Sequence, residues 1–454
     1  MAKNSVLTWS FIIALGGFLF GFDTAVISGA ERAVQLYWNL NATQHGFTMA
    51  IALIGTIVGA AIGAVPSDKL GRKKTLFLVA SLYFCSALGT ALAENWTFFM
   101  IFRFLGGIGV GASSVVAPIY ISEISPAKSR GRLVGLFQFN VVLGILIAYL
   151  SNYVIGQTGE NSWRWMLGVQ AFPALIFYTL IHLLPESPRW LLLQRNNQQA
   201  AESILKKINA ENYKQELKSI LLSDPSGNEH PAGSNEKLFS KKYSMPIIFA
   251  VLIAVFNQFA GINAIIYYAP RVFELAGLGV QSSLLSTVGI GAVNFIFTLI
   301  AINVIDRIGR RKLMFIGSVG LIASLAMVSY SFFTQDSGAA NALSSGLAIT
   351  VYLMVYIAFF AFSQGAVIWV FISEIFPNEV RAKGQTLGSL THWVMASLIT
   401  FSFPMLTAYL GAGHTFLIFV GCMILQLLFV WRLMPETKGR SLEQMEGSIV
   451  LQNR

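Results

Sequence analysis

Runs of about twenty or more mostly apolar residues recur along almost the whole chain, separated by short polar turns. No other feature constrains the fold as strongly. A helix needs roughly 20 apolar residues to cross a hydrocarbon layer of about 30 Å. In lipid every backbone N–H and C=O must be paired within the protein, so a spanning chain is either helical or a closed barrel. The runs here are continuous rather than alternating, which selects helices. Twelve are read, at about 7–29, 46–65, 75–93, 97–121, 131–155, 163–184, 246–270, 282–304, 312–333, 346–373, 383–410 and 412–433. Composition agrees. Of 454 residues, 55% are hydrophobic and only 11% charged, against about 25% charged in a soluble domain. The expected class is an all-α polytopic membrane protein with 12 transmembrane helices in two pseudo-symmetric six-helix bundles.

The formal net charge is +10, a balance that in a soluble chain would suggest nucleic acid. Its distribution argues otherwise. Lys69, Arg72, Lys73 and Lys74 fall in one short loop, Lys128, Arg130 and Arg132 in another, and Arg307, Arg310, Arg311 and Lys312 in a third. The alternate loops hold little beyond Arg32, Arg164 and Arg271. This asymmetry places both termini in the cytoplasm, the lipid bilayer rather than nucleic acid being the partner. Cys85 and Cys422 both lie in apolar spans and imply no disulfide framework. The first span lacks a small-residue cleavage site and continues through Asp23, so it reads as a retained helix.

One long polar stretch, 185–244, interrupts the series. Residues 198–222 have helical spacing and alternating charge, and Asp224-Pro-Ser-Gly then breaks regular structure. The expected organisation is a bundle over 1–190, a cytoplasmic helical linker over 191–244, and a second bundle with a short tail over 245–454. The two halves repeat. Ser122-Glu123-Ile-Ser-Pro126 with Arg130 returns as Ser373-Glu374-Ile-Phe-Pro377 with Arg381. Asp68-Lys-Leu-Gly-Arg72 returns as Asp306-Arg-Ile-Gly-Arg310, and Pro185-Glu186-Ser as Pro435-Glu436-Thr. Internal repeats with a substrate site at their interface are characteristic of transporters.

Gly63 to Lys74 (GAVPSDKLGRKK) resembles the loop motif of the major facilitator superfamily. Arg130-Gly-Arg132, Pro185-Glu-Ser-Pro-Arg-Trp190, Gln258-Phe-Ala-Gly-Ile-Asn263 and Pro435-Glu-Thr-Lys-Gly-Arg440 resemble signatures of its sugar-porter family. The resemblance covers essentially the whole chain. It implies the major facilitator fold and a secondary transporter that carries a monosaccharide with a proton by alternating access. It implies neither a cofactor nor a bound metal, and a protein active as a monomer in the cell membrane, of bacterial inner-membrane type. Facilitative transport of a sugar, polyol or inositol remains an alternative, as does a nutrient sensor, although only about twenty residues follow the last span. No catalytic carboxylate pair or metal cluster points to a membrane enzyme.

A sugar presents hydroxyls around an apolar ring face. Amides suit it because they both donate and accept, and an aromatic ring covers the face. The candidate amides are Gln138, Asn257, Gln258, Asn263 and Asn294; the candidate aromatics are Phe22, Trp369 and Trp393, with Tyr267 and Tyr268 as gating residues. Gln258 and Asn263 are five residues apart, so a straight helix would turn them about 140° from one another. Gly261 between them allows a local break. Where the family often has two adjacent glutamines, this chain has Asn257 and Gln258. It has His392 where Gln or Asn is common. Helix ten lacks the family's proline-rich run and reads Ser363-Gln-Gly-Ala-Val-Ile-Trp369, leaving Gly365 as the obvious flexible point.

Two further sets complete the expectations. On the cytoplasmic side Asp68, Arg72, Glu123, Arg130, Asp306, Arg310, Glu374 and Arg381 supply a charge latch between the halves. Within the spans, away from helix ends, the ionisable residues reduce to Asp23 and Arg103. Each costs about 2.5–3.5 kcal/mol at a helix centre on insertion scales, so each needs a partner or a function. Proton-coupled members of the family hold an acid and an arginine at these places, whereas facilitative members carry Asn instead of the acid. Asp23 therefore favours proton coupling.

Overall fold

The computed structural model describes residues 2–126, 129–159, 161–210, 212–222, 238–338, 342–377 and 380–438. Lys128 and the expected linker break at 224–233 lie outside these residues. Every regular element among the described residues is a helix. In order, α1 is Ala2–Tyr37, α2 Ala42–Ile62, α3 Ala64–Leu70, α4 Arg72–Leu92, α5 Trp96–Ile124, α6 Arg130–Ile155, α7 Ser162–Gly168, α8 Ala171–Ile181 and α9 Pro188–Leu193. Then follow α10 Gln198–Ile208, α11 Tyr213–Leu222, α12 Ser244–Phe259, α13 Ile262–Leu275, α14 Val280–Ile308, α15 Arg310–Asp336, α16 Ala342–Phe362, α17 Gln364–Glu374 and α18 Arg381–Arg432.

Among the described residues, eleven stretches are long and apolar enough to cross a membrane. The last, α18, has 52 residues and breaks at Gly411 (φ 81°, ψ 162°). It holds about 78 Å of helix, enough for two crossings. The two expected spans 383–410 and 412–433 meet at that glycine, which brings the crossings to twelve. One boundary needs correction. α1 ends at Tyr37 rather than near 29, because Glu31 and Arg32 both find partners and do not stop the helix.

The chain forms two compact units. The first comprises Met1–Val26, Ile51–Ala148 and Glu160–Ala232; the second comprises Ile27–Ala50, Tyr149–Gly159 and Gly233–Arg454. This division differs from the expected halves at 27–50 and 149–159. Contacts with later helices account for the difference. Arg32 pairs with Glu274, Tyr149 Oη donates to the Ile266 carbonyl at 3.0 Å, and Gln281 Nε2 donates to the Gly156 carbonyl at 3.0 Å.

In the first unit small residues let helices meet backbone to backbone. A Cβ on Gly107 would lie 1.9 Å from the Ala52 carbonyl oxygen, and one on Gly111 2.2 Å from that of Thr56. Close approach of this kind is how helices gain packing energy where lipid is as apolar as the side chains. Outside the spans, α10 buries Ala201, Ile204, Leu205 and Ile208 on one face. The second unit is organised around Phe249 and Ile253 of α12, Val367 and Phe371 of α17, Phe376 just beyond α17, and Phe429 of α18.

The sequence repeat is also a structural one. Gly71 (φ 96°, ψ 164°) opens α4 and Gly309 (φ 98°, ψ 158°) opens α15. Glu186 Oε1 accepts from the backbone N–H of Arg72 at 3.0 Å and Lys73 at 3.2 Å. Glu436 accepts from Arg310 at 2.9 Å and Arg311 at 3.1 Å. Each carboxylate thus caps a helix N-terminus, where unpaired N–H groups and the helix dipole favour negative charge. A Cβ on either glycine would lie 2.4 Å or 2.6 Å from its glutamate oxygen. Burial pushes the Glu186 carboxyl upward, while the N–H bonds and the Arg72 charge pull it back.

Candidate functional site

In the second unit the amides of α12 and α13 are brought together. α12 ends at Phe259, Gly261 adopts a left-handed conformation (φ 85°, ψ 14°), and α13 starts at Ile262. The break realigns Gln258 and Asn263. Asn263 Nδ2 donates to Gln258 Oε1 at 2.6 Å, and Gln258 Nε2 donates to Asn257 Oδ1 at 2.9 Å. The same Nε2 lies 3.3 Å from both ring nitrogens of His392 on α18. Three amides and an imidazole therefore form one bonded set, centred on Gln258.

Aromatic rings border this set. The His392 ring centroid lies 4.8 Å from that of Trp369 and 5.0 Å from that of Trp393. Trp393 is buried, but Trp369 is 38% exposed, a large accessible face beside buried amides. Tyr267 and Tyr268 are buried in α13. Tyr268 leaves helical geometry (φ −124°, ψ 18°) and its hydroxyl donates to the Thr400 carbonyl at 2.9 Å. Asn294 is half-buried on α14 and takes no part in the bonded set.

The break in helix ten lies two residues before Gly365, at Ser363 (φ −116°, ψ −85°), between α16 and α17. It is held by a buried polar relay. Gln364 Nε2 donates to Gln426 Oε1 at 2.8 Å, and Gln426 Nε2 donates to Ser318 Oγ at 2.9 Å. The facing Gly317 leaves room for Ser363, since a Cβ there would lie 1.9 Å from Ser363 Oγ.

In the first unit Arg103 Nη1 on α5 donates to Asp23 Oδ1 on α1 at 3.0 Å. Asp23 is 2% exposed and Arg103 1%. Arg103 Nε and Nη2 are buried without hydrogen-bond partners, so the pair is incompletely satisfied, which is uncommon for a guanidinium this deep. Phe22, next to Asp23, is buried with its ring 5.9 Å from Phe18. Gln138 is half-buried on α6.

The basic and acidic residues of the expected latch pair inside each unit. Arg72 binds Glu123 through two bonds, Nε–Oε2 at 2.9 Å and Nη2–Oε1 at 3.0 Å, and Asp68 at 3.1 Å. Arg310 binds Glu374 likewise, at 3.1 Å and 2.8 Å, and Asp306 at 2.9 Å. The forked guanidinium matches the carboxylate, and the glycine turn before each arginine aims it. Arg130 is exposed, and Arg381 Nε donates to the Phe376 carbonyl at 3.3 Å.

Sequence reasoning passed over two buried residues. Glu31 and His45 are 2% and 1% exposed and lie 2.7 Å apart. Both fall outside the apolar runs read at 7–29 and 46–65, where a charged or titratable residue reads as part of a connecting loop. The missed signal was an acid beyond the apolar run, eight residues after Asp23, within continuing helical periodicity.

The family described as "Sugar (and other) transporter" matches residues 9–448. The D-xylose-proton symporter of Escherichia coli K12 is 36% identical over 488 residues, covering 98% of this chain and 96% of the symporter. The glucose transporter GlcP of Staphylococcus epidermidis is 37% identical, covering 95% of each. The inward-open structure of the E. coli xylose transporter XylE superposes with a TM-score of 0.85 at 34% identity, covering 98% of this chain and 99% of that one. A structure of the same major facilitator symporter with bound 6-bromo-6-deoxy-D-glucose gives 0.78 at 34% identity, covering 99% and 100%.

Proposed function

Because the chain belongs to the sugar transporter family of the major facilitator superfamily, we propose that it carries a monosaccharide across the membrane together with a proton, by alternating access. The observation that carries this reading is the Asp23–Arg103 pair. An acid and a base buried this deep in a span cost free energy unless they are used, and the arginine keeps two of its nitrogens unpaired. In the ionised pair the charges hold α1 against α5. Protonating Asp23 removes the anion, releases that attraction, and frees the helices to shift.

The sugar is held by Asn257, Gln258, Asn263 and His392, with Trp369 stacked on its apolar face. Each hydroxyl that enters replaces a bond now made within the amide set, so binding exchanges partners rather than stranding polar groups. Gln138 and Phe22 keep their sequence-based assignment as further sugar contacts. The relatives are named for xylose, glucose and arabinose, which supports a pentose or hexose of unspecified identity. The basic turns at Arg72 and Arg310 face the cytoplasm, with both termini.

The test is uptake by proteoliposomes across a panel of pentoses, hexoses and inositol, with and without an imposed pH gradient. Accumulation above equilibrium only when the outside is acidic supports symport. Equilibration of sugar that ignores the gradient contradicts it and leaves facilitated transport.

A further inference from the structure

The second unit contains an ionisable pair that the transport reading does not use. α1 carries Glu31 and α2 carries His45. His45 Nε2 lies 2.7 Å from Glu31 Oε1, and both side chains are almost fully buried. A contact this short between a carboxylate and an imidazole requires one proton between them. His45 Nδ1 is also buried and has no hydrogen-bond partner, which provides a place for a second. The pair therefore holds one proton with a net charge of −1, or two with a net charge of zero.

These residues open onto a cavity of about 330 Å³ lined by Gln35, Tyr268, Arg271 and Asp336 among others. The cavity lies at the Asp336 end of α15, opposite its basic Arg310 turn. Among the described residues, Arg271 from α13 and Asp336 from α15 line the same cavity, and the Glu274 carboxylate of α13 interacts electrostatically with Glu31. Arg32 from α1 is engaged with Glu274 of α13. α18 contributes the uncharged Thr407 and Phe403. The His45 ring meets Tyr268 edge-on, centroids 6.0 Å apart. Tyr268 is the residue at which α13 departs from helical geometry, five positions after Asn263 of the amide set. The charge on the pair is thus set directly against the bend of the helix that carries the proposed sugar ligand.

We propose that Glu31 and His45 form a second proton-binding site, separate from Asp23, whose occupancy sets how firmly α1 and α2 hold the Tyr268 bend. This rests on the transport reading above. With two protons the pair is a hydrogen-bonded ion pair and ties α1 to α2. With one, it is a buried net anion that favours rearrangement toward Arg271.

The test is sugar exchange in proteoliposomes with equal sugar and equal pH on both sides, from about pH 5 to 8. His45→Gln retains an N–H for Glu31 but cannot titrate. Because Asp23 is itself proposed to take up a proton, the comparison is made in its absence: Asp23→Asn should still change rate several-fold across this range, while Asp23→Asn combined with His45→Gln should stay within about twofold. A double variant with the profile of Asp23→Asn, or a flat profile in Asp23→Asn alone, would overturn the proposal. A second readout does not depend on transport. The chain has five histidines, and the ring NMR signal lost in His45→Gln identifies His45 in protein embedded in nanodiscs. That signal should titrate in the wild type and shift its midpoint in Glu31→Gln. A signal constant over the range sinks the second proton site, whereas absence of exchange with every sugar alongside a titrating His45 sinks the transport reading alone.

Discussion

Gln258 contacts three other polar side chains, more than any other residue in the amide set. Truncation removes its proposed sugar contact and the bonds it makes to Asn257 and Asn263. Loss of one buried partner costs about 1–3 kcal/mol, so Gln258→Ala should weaken sugar binding by about 5- to 150-fold in calorimetry. Unchanged affinity in a folded variant would move the sugar site elsewhere. His392 acts differently because its ring touches Gln258, Trp369 and Trp393 at once. His392→Gln supplies a longer and differently aimed amide. It should keep transport but reorder the preference among sugars in a competition assay, and an unchanged order would assign His392 to packing. These residues were legible in the sequence because amides inside apolar spans are conspicuous. Their mutual bonding was not, because it depends on the left-handed conformation at Gly261.

The broken helices supply that geometry. At Gly261 a side chain meets two obstacles: a positive φ costs an L-residue roughly 1–2 kcal/mol, and its Cβ would lie 2.7 Å from Phe419. Gly261→Ala should therefore lower the melting temperature in a thermal-shift assay and weaken sugar binding together. A variant that melts and binds as wild type would show that the break does not align Gln258 with Asn263. The α16–α17 break was harder to read. With no proline present the glycine at 365 was the visible candidate, yet the chain breaks at Ser363 and is held by Gln426 and Ser318. Those partners are distant in sequence, 62 residues separating Gln364 from Gln426, and only the fold brings them together. The roles of Glu186 and Glu436 stayed hidden for the same reason, although their repetition was plain. A repeat shows that two residues share a role, but it does not say that the role is to cap helices more than a hundred residues away in sequence.

At the scale of the whole molecule, hydropathy alone specified the helices, because lipid leaves the backbone no other way to pair. It placed their ends less well. α1 runs eight residues past its apolar stretch, since the Glu31–His45 and Arg32–Glu274 pairs keep charged residues inside a helix. The proposed orientation rests on charge. Residues 185–244 hold nine Lys and Arg, so Ser203→Cys, with Cys85 and Cys422 replaced by serine, should react with an impermeant maleimide in inside-out vesicles and not in intact cells. Labelling of intact cells would reverse the topology. The central claim is that Asp23 takes up and releases a proton as sugar crosses. Asp23→Asn keeps the shape and removes the titration. It also leaves Arg103 buried beside a neutral group, and breaking such a pair costs about 3–5 kcal/mol, so sugar exchange must be measured alongside to show that the protein is intact. The decisive measurement is alkalinisation of a weakly buffered outside medium when sugar is added. The wild type should give the signal, and Asp23→Asn should exchange sugar without it. A wild type that takes up sugar silently, or an Asp23→Asn variant that still alkalinises the medium, would contradict the account.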